Sequence, residues 1–201
     1  MQAKSYLSSA VRTVVLGGFI LLAGCAQPPT EKVTSLQNDL SQCETMGAGV
    51  FAPADFEKVS QKMAELTGLM DQKKYRKATA LADSLVAEVA ALKSTVQTNG
   101  KDMAGKMVES ANQELGMLKV QLSPENLGIL GDAAQKYSDQ VQEYEGKIAT
   151  MQSDLDNGAY LQVHENSPLV GQISATVQSF NTELEQAKAA QALKKKPARR
   201  K

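Results

Sequence analysis

Apolar residues recur at alternating intervals of three and four positions through most of this sequence. The longest such run contains Leu127, Leu130, Ala134, Tyr137, Val141, Tyr144, Ile148, Met151 and Leu155. Because an α-helix has 3.6 residues per turn, this spacing places all of these side chains on one face of a helix that packs along a seam. Aromatic residues make up only 4% of the chain, which argues against a sandwich or a barrel. The sequence therefore predicts an all-α fold of elongated antiparallel helical hairpins, or a coiled-coil-like helical bundle.

Turn residues divide this pattern into two helical regions. The first region covers residues 31–122 and includes a hairpin at residues 53–98. We expect the second helix of that hairpin to end at Asn99-Gly100, because this pair commonly adopts the left-handed conformation that stops a helix. A less regular helix is expected to follow at residues 101–122.

The second region, residues 123–193, is predicted to be a longer hairpin. Ser123-Pro124 restarts the apolar pattern, with proline at a first-turn position where its missing N–H costs nothing. Asn157-Gly158 provides the turn between the two helices of this hairpin. Pro168 is expected to kink the returning helix or to divide it in two.

The two hairpins resemble each other in sequence. Pro53 and the apolar stripe of residues 56–70 recur at an offset of 71, and the turn at residues 71–75 recurs at an offset of 85. The offsets differ by two heptads, an insertion that lengthens a helix without rotating its apolar stripe. We interpret this pattern as two related hairpins, the second longer. The alternative is a chance resemblance between two amphipathic hairpins.

The first 24 residues have the features of a secretory signal peptide. Lys4 and Arg12 accompany a short apolar run at residues 14–22. That run is about half as long as the roughly 20 residues that cross a bilayer as a helix. We therefore expect residues 1–24 to be removed from the mature protein.

The end of this segment, Leu22-Ala23-Gly24-Cys25, resembles the lipobox of bacterial lipoproteins. The resemblance implies cleavage before Cys25 and attachment of acyl chains to its thiol, with residues 25–30 as the lipidated cysteine and linker. Ala26 is not the aspartate that retains enteric lipoproteins at the inner membrane, so the resemblance favours the periplasmic face of the outer membrane. An ordinary cleavable signal with an incidental cysteine is the alternative.

A second resemblance covers roughly residues 47–95. Residues 47–56 are similar to the Ala-Pro start of a lipoprotein domain family of unknown function. In that family a helix is followed by a Tyr-x-x-Ala turn and an Ala-rich helix, to which Tyr75, Ala78 and residues 80–82 correspond. The resemblance implies an envelope lipoprotein with a helical domain and no assigned chemistry.

Charge is unevenly distributed along the chain. The sequence has 22 basic and 22 acidic residues, yet residues 25–193 carry a net charge of −8. Six bases lie in the last eight residues: Lys194, Lys195, Lys196, Arg199, Arg200 and Lys201. An acidic body with a short basic tail does not resemble a nucleic-acid-binding surface, which spreads bases over a folded face. The tail is either a contact for an envelope polyanion, such as peptidoglycan or anionic lipid, or a solvated terminus, and we leave both open.

Residues suited to chemistry are few. His164 is the only imidazole, and we expect it to be a surface residue. Cys43 follows Val33, Leu36 and Leu40 on one helical stripe, which favours a buried thiol over an intermolecular disulfide. No phosphate-binding loop, nucleophile elbow or calcium loop is present, and one chain has too few ligands for zinc or haem. We expect neither a cofactor nor a bound metal, and no enzymatic activity.

The sequence predicts a non-catalytic, lipid-anchored envelope lipoprotein that serves as a helical scaffold, spacer or adaptor for an envelope partner. The first alternative is a cell-wall or polyanion-binding tether that uses the basic tail. The second is an accessory subunit of an envelope enzyme or transporter.

Overall fold

The computed structural model describes the backbone of residues 27–195 and the side chains of residues 27–193. Its helices are α1 (Thr30–Thr45), α2 (Ala48–Phe51), α3 (Pro53–Asp71), α4 (Tyr75–Gln121), α5 (Pro124–Leu130), α6 (Ala134–Asp156), α7 (Tyr160–Glu165) and α8 (Pro168–Lys195). A short 3-10 helix, Gly131–Ala133, joins α5 to α6, and no strand occurs in residues 27–195. The predicted all-α bundle is confirmed.

The expected end of a helix at Asn99-Gly100 is wrong, because α4 passes through this pair without interruption. α4 contains 47 residues, which corresponds to a length of about 70 Å at 1.5 Å per residue. Its buried face continues at Val96, Gly100, Ala104 and Val108, so one stripe spans the whole helix. Asn99 and Gly100 serve contacts between helices instead of a turn.

The first half of α4 forms a three-helix unit with α1 and α3. Lys32 on α1 pairs with Asp83, and the Lys93 ammonium donates to the Gln42 side-chain oxygen at 3.2 Å, so α1 and α4 run parallel. α3 runs antiparallel to both. The buried residues of this first unit share one continuous core: Val33, Leu36, Cys43, Phe51, Val59, Met63, Leu66, Leu85, Val89, Leu92 and Val96.

The second half of α4 forms a second three-helix unit with α6 and α8. Contacts at Tyr144–Thr176 and Lys136–Glu183 show that α6 and α8 are antiparallel, because the numbers rise along one helix and fall along the other. The core of this second unit contains Ala104, Val108, Ala111, Leu115, Leu118, Tyr137, Ile148, Met151, Val163, Ile173 and Phe180. α4 is thus the last helix of one unit and the first helix of the next.

The turns that follow α3 and α6 have the same backbone. At the first, the N–H groups of residues 72, 73 and 74 donate to the carbonyls of residues 68, 70 and 69, and the same pattern recurs 85 positions later. The residues in the left-handed conformation, Lys73 at φ 54° and Gly158 at φ 75°, are also 85 positions apart. The sequence resemblance at this turn is therefore accompanied by the same local structure.

The buried stripes extend this correspondence and locate the extra two heptads. Val59, Met63 and Leu66 recur at an offset of 85 as Tyr144, Ile148 and Met151, and all six are buried. An offset of 85 therefore holds along α3, and the additional length of the second hairpin lies at its far end, residues 124–137. A shift of two heptads leaves a stripe unrotated, so sequence alone could not distinguish the two placements.

Two features of the second hairpin depend on glycine and proline. The stripe of residues 127–155 is not one helix, because the chain bends at Gly131, where φ is 60°. The predicted division at Pro168 is confirmed, since α7 ends at Glu165 and α8 begins at Pro168.

The seam provides a test of this packing. Ile148 is 5% exposed and Gln142, on the same helix, is exposed. Ile148→Asp would bury an unpaired carboxylate and should lower the free energy of unfolding by roughly 3 kcal/mol or more. Gln142→Asp should change it by less than about 0.5 kcal/mol. Urea unfolding followed by circular dichroism measures both, and equal midpoints would contradict the observed register.

Candidate functional site

The predicted lipid site lies outside the described residues, as do all four lipobox positions, Leu22, Ala23, Gly24 and Cys25. The structure does describe the linker that follows. Residues 27–32 line a shallow depression together with Thr79, close to the start of α4. The N-terminal linker is therefore located at the end of the molecule that contains the α3–α4 turn.

The basic tail is described only in part. Lys194 and Lys195 belong to the last turn of α8, whereas Lys196, Arg199, Arg200 and Lys201 lie outside the described residues. Every side chain from residue 188 to residue 193 is exposed, including Leu193 at 70%. The last turns of α8 therefore project beyond the bundle.

The linker and the end of α8 lie at opposite ends of the described structure. Lys32 is level with Asp83 on α4, Lys119 pairs with Glu145 on α6, and Lys136 pairs with Glu183 on α8. The summed helical rise between these pairs gives a distance of roughly 80 Å from the start of α1 to the end of α8. The described residues that adjoin the lipobox and those that adjoin the basic tail are therefore far apart.

The joint between the two units is centred on Gly100. A Cβ atom added there would lie 2.9 Å from Cδ2 of Tyr160 and 3.2 Å from Cδ2 of Phe51. Beside it, the Asn99 amide donates to the Phe51 carbonyl at 2.8 Å. Glycine at this position lets the α2 turn and the start of α7 meet over α4. The sequence carried a signal for this role, because the apolar stripe continues past Gly100 on the same face.

His164 is half-buried, so its expected place on a solvated surface is wrong. Its ring packs edge-on against Phe51, with ring centroids 6.0 Å apart. Its Nδ1 atom is buried and has no hydrogen-bond partner among the described residues. The histidine contributes to the joint between the units.

Cys43 is fully buried and unpaired, as its position on the α1 stripe predicted. Burial raises the pKa of its thiol, which opposes formation of the reactive thiolate. Its position in the core favours a packing role over a redox role.

α1 and α3 enclose an open groove of about 430 Å³ in the first unit. Its apolar residues are Leu40, Phe56, Met63 and Ala64, and its polar rim includes Ser41, Ser60 and Glu44. The sequence pattern did not predict this groove, because it places Leu40 and Phe56 on apolar stripes that are expected to be buried. Both remain half-buried in the structure.

In the described part of the chain, no group of three or more His, Cys, Asp or Glu residues is placed to hold a metal ion. Among residues 27–195, no helix combines the length and the apolar character that crossing a bilayer requires.

The joint at Gly100 can be tested with a matched glycine. Gly100→Ala places a methyl group against two aromatic rings and should destabilise the protein by about 1–2 kcal/mol, despite the better helix propensity of alanine. Gly116 lies on the same helix with open space around it, so Gly116→Ala should stabilise by about 0.5–1 kcal/mol. Thermal unfolding decides, and a stabilised Gly100→Ala variant would refute the close approach.

No model of a protein family, no curated protein and no solved structure matches this chain.

Proposed function

We propose that this chain is a non-catalytic lipoprotein of the bacterial cell envelope that acts as a rigid spacer and scaffold. A lipid on Cys25 anchors one end, on the periplasmic face of the outer membrane, and the basic tail is presented at the other. The observation that supports this proposal is the separation of roughly 80 Å between the N-terminal linker and the end of α8. A chain that only covered a membrane surface would not need its two ends so far apart.

The internal construction of the rod supports the same proposal. A single helix, α4, passes through both units, so a sharp bend between them would disrupt its backbone hydrogen bonds. Phe51 and Tyr160 pack over Gly100 from the two sides of the joint and further resist bending. Such a rod keeps a constant distance between its ends.

Tethering to a polyanion through the tail is the second candidate function. It is favoured by the projection of α8, whose side chains are all exposed from residue 188 to residue 193, directly before the six bases of the tail. With the rod upright, the tail is too far from the anchoring membrane to contact its head groups. Peptidoglycan, with its carboxylates, is then the polyanion within reach, and each base near a strongly anionic surface adds at most about 1 kcal/mol.

The anchor is tested by removing the thiol that would carry the lipid. Cys25→Ser should leave the chain unprocessed or release it from the membrane fraction, because two or three acyl chains supply the membrane affinity. Cys43→Ala is the matched control, since it removes the other cysteine of the chain and should leave fractionation unchanged. Normal processing and membrane retention of Cys25→Ser would end the lipoprotein hypothesis.

The tail is tested by deleting residues 194–201. Helicity and melting temperature should not change, because the preceding turn of α8 is already exposed. If the tail is the tether, sedimentation with purified peptidoglycan should be lost. Binding by the intact chain should weaken steeply between low and physiological salt, since charges more than about 10 Å apart are screened at 0.1 M.

The control for this deletion changes bases at the opposite end of the rod. Arg76→Gln and Lys77→Gln alter two exposed bases at the start of α4 and should leave peptidoglycan binding unchanged. If the truncated chain still binds peptidoglycan as tightly as the intact chain, the tail is not the contact, and the spacer remains without a tether.

A further inference from the structure

The open groove between α1 and α3 runs along both helices and is long enough to contact several turns of one more helix. Its lining residues fall on a single face of each helix: residues 37–44 of α1 and residues 56–67 of α3. The span on α3 corresponds to about 16 Å, or three helical turns. Ser41, Ser60 and Ala64 are small side chains that would let the backbone of a bound helix approach closely.

The second unit differs from the first at the equivalent position. There, α4 and α6 are joined by the ion pair of Lys119 and Glu145. At the offset of 85, the counterpart of Glu145 is Ser60. Serine cannot form an ion pair, so no ion pair joins Ser60 to α1, and the groove of the first unit lies between these two helices.

The charge of the groove is negative. Its rim contains Glu44, which forms no ion pair with the residues that the structure describes. The bases of α1 and α3 are Lys32, Lys58 and Lys62, and all three pair with acids on α4. No basic side chain of the two helices is left to neutralise the groove.

We propose that this groove binds a cationic amphipathic helix of an envelope partner. The apolar face of that helix packs on Leu40, Phe56 and Met63, and a Lys or Arg near its end pairs with Glu44. An amphipathic helix seated in a hydrophobic groove is a common mode of peptide recognition, and opposite charges at the rim set its orientation. The proposal deepens the scaffold function, and it rests on that function for the location of the partner.

The end of α8 is itself a cationic helix, so a second copy of this chain is the competing occupant. Copies anchored side by side in one membrane have parallel axes. The α8 end then lies roughly 60 Å along the rod from a neighbour's groove, too far to enter it. This geometry favours a separate partner over self-association.

Binding can be measured with the purified full-length chain and a fluorescent synthetic peptide. The peptide carries Leu at heptad positions a and d and Lys at the other positions, over about 18 residues, which is long enough for helix formation. Glu44→Lys and Ala64→Trp should each weaken its binding at least tenfold, the first by charge and the second by filling the groove. Both residues are exposed, so neither change disturbs the core.

Matched controls carry the same changes away from the groove. Glu65→Lys on α3 and Ala80→Trp on α4 are exposed and should leave peptide affinity within twofold of the original. A peptide with Glu in place of every Lys should bind at least tenfold more weakly than the cationic one. Equal affinity of Glu44→Lys and Glu65→Lys for the cationic peptide would overturn the proposal.

Crosslinking in cells identifies the natural occupant. A photoreactive side chain at position 64 should form adducts with a Lys- or Arg-rich amphipathic segment of another protein, and the same group at position 80 should not. Adducts with the α8 segment of a second copy, or with an acidic segment, would overturn the proposal. The peptide measurement does not depend on the lipid. The anchoring test with Cys25→Ser and the groove-binding test can therefore fail independently of each other.

Discussion

The continuity of α4 is the constraint on which the rest of the structure depends. One helix of 47 residues supplies a buried face to both units, so its apolar stripe must remain on the same side from Ala78 to Leu118. The absence of a side chain at Gly100 makes this possible at the joint, where two aromatic rings occupy the space above the helix. A larger residue there would separate α2 and α7 from α4 and weaken the connection between the units.

This arrangement gives the molecule its length and its polarity. Each unit folds two further helices around one half of α4, which places the N-terminal linker at one end and the tip of α8 at the other. In the sequence, a candidate lipid site precedes the linker, and a cluster of bases begins at the last turn of α8. The groove between α1 and α3 adds a third surface near the linker end, with Glu44 as its one charged lining residue. The proposed spacer function, with a binding surface between the two ends, makes use of all three features.

The predictions that depend only on neighbouring residues in the sequence, such as turns and helix boundaries at proline, were mostly confirmed. The turn after Asp71, the turn after Asp156 and the division at Pro168 follow from the side chains at those positions, and they occur as expected. Two of the wrong predictions, at Asn99-Gly100 and at His164, concern residues whose role is set by partners far away in the chain. An Asn-Gly pair stops a helix in isolation, yet here the Phe51 carbonyl accepts the Asn99 amide and the helix continues.

The all-helical fold, the position of most apolar stripes and the burial of Cys43 follow from the sequence alone. The reason is that spacings of three and four residues define one face of a helix without reference to any other segment. Only the packing of the helices shows that two three-helix units share α4 and that the extra heptads lie at the far end of the second hairpin. The same holds for the groove between α1 and α3. A shift of two heptads leaves every stripe unchanged, so only contacts between helices select among the possible registers. The groove is lined by side chains of two different helices, so only the packing of these helices decides whether it exists.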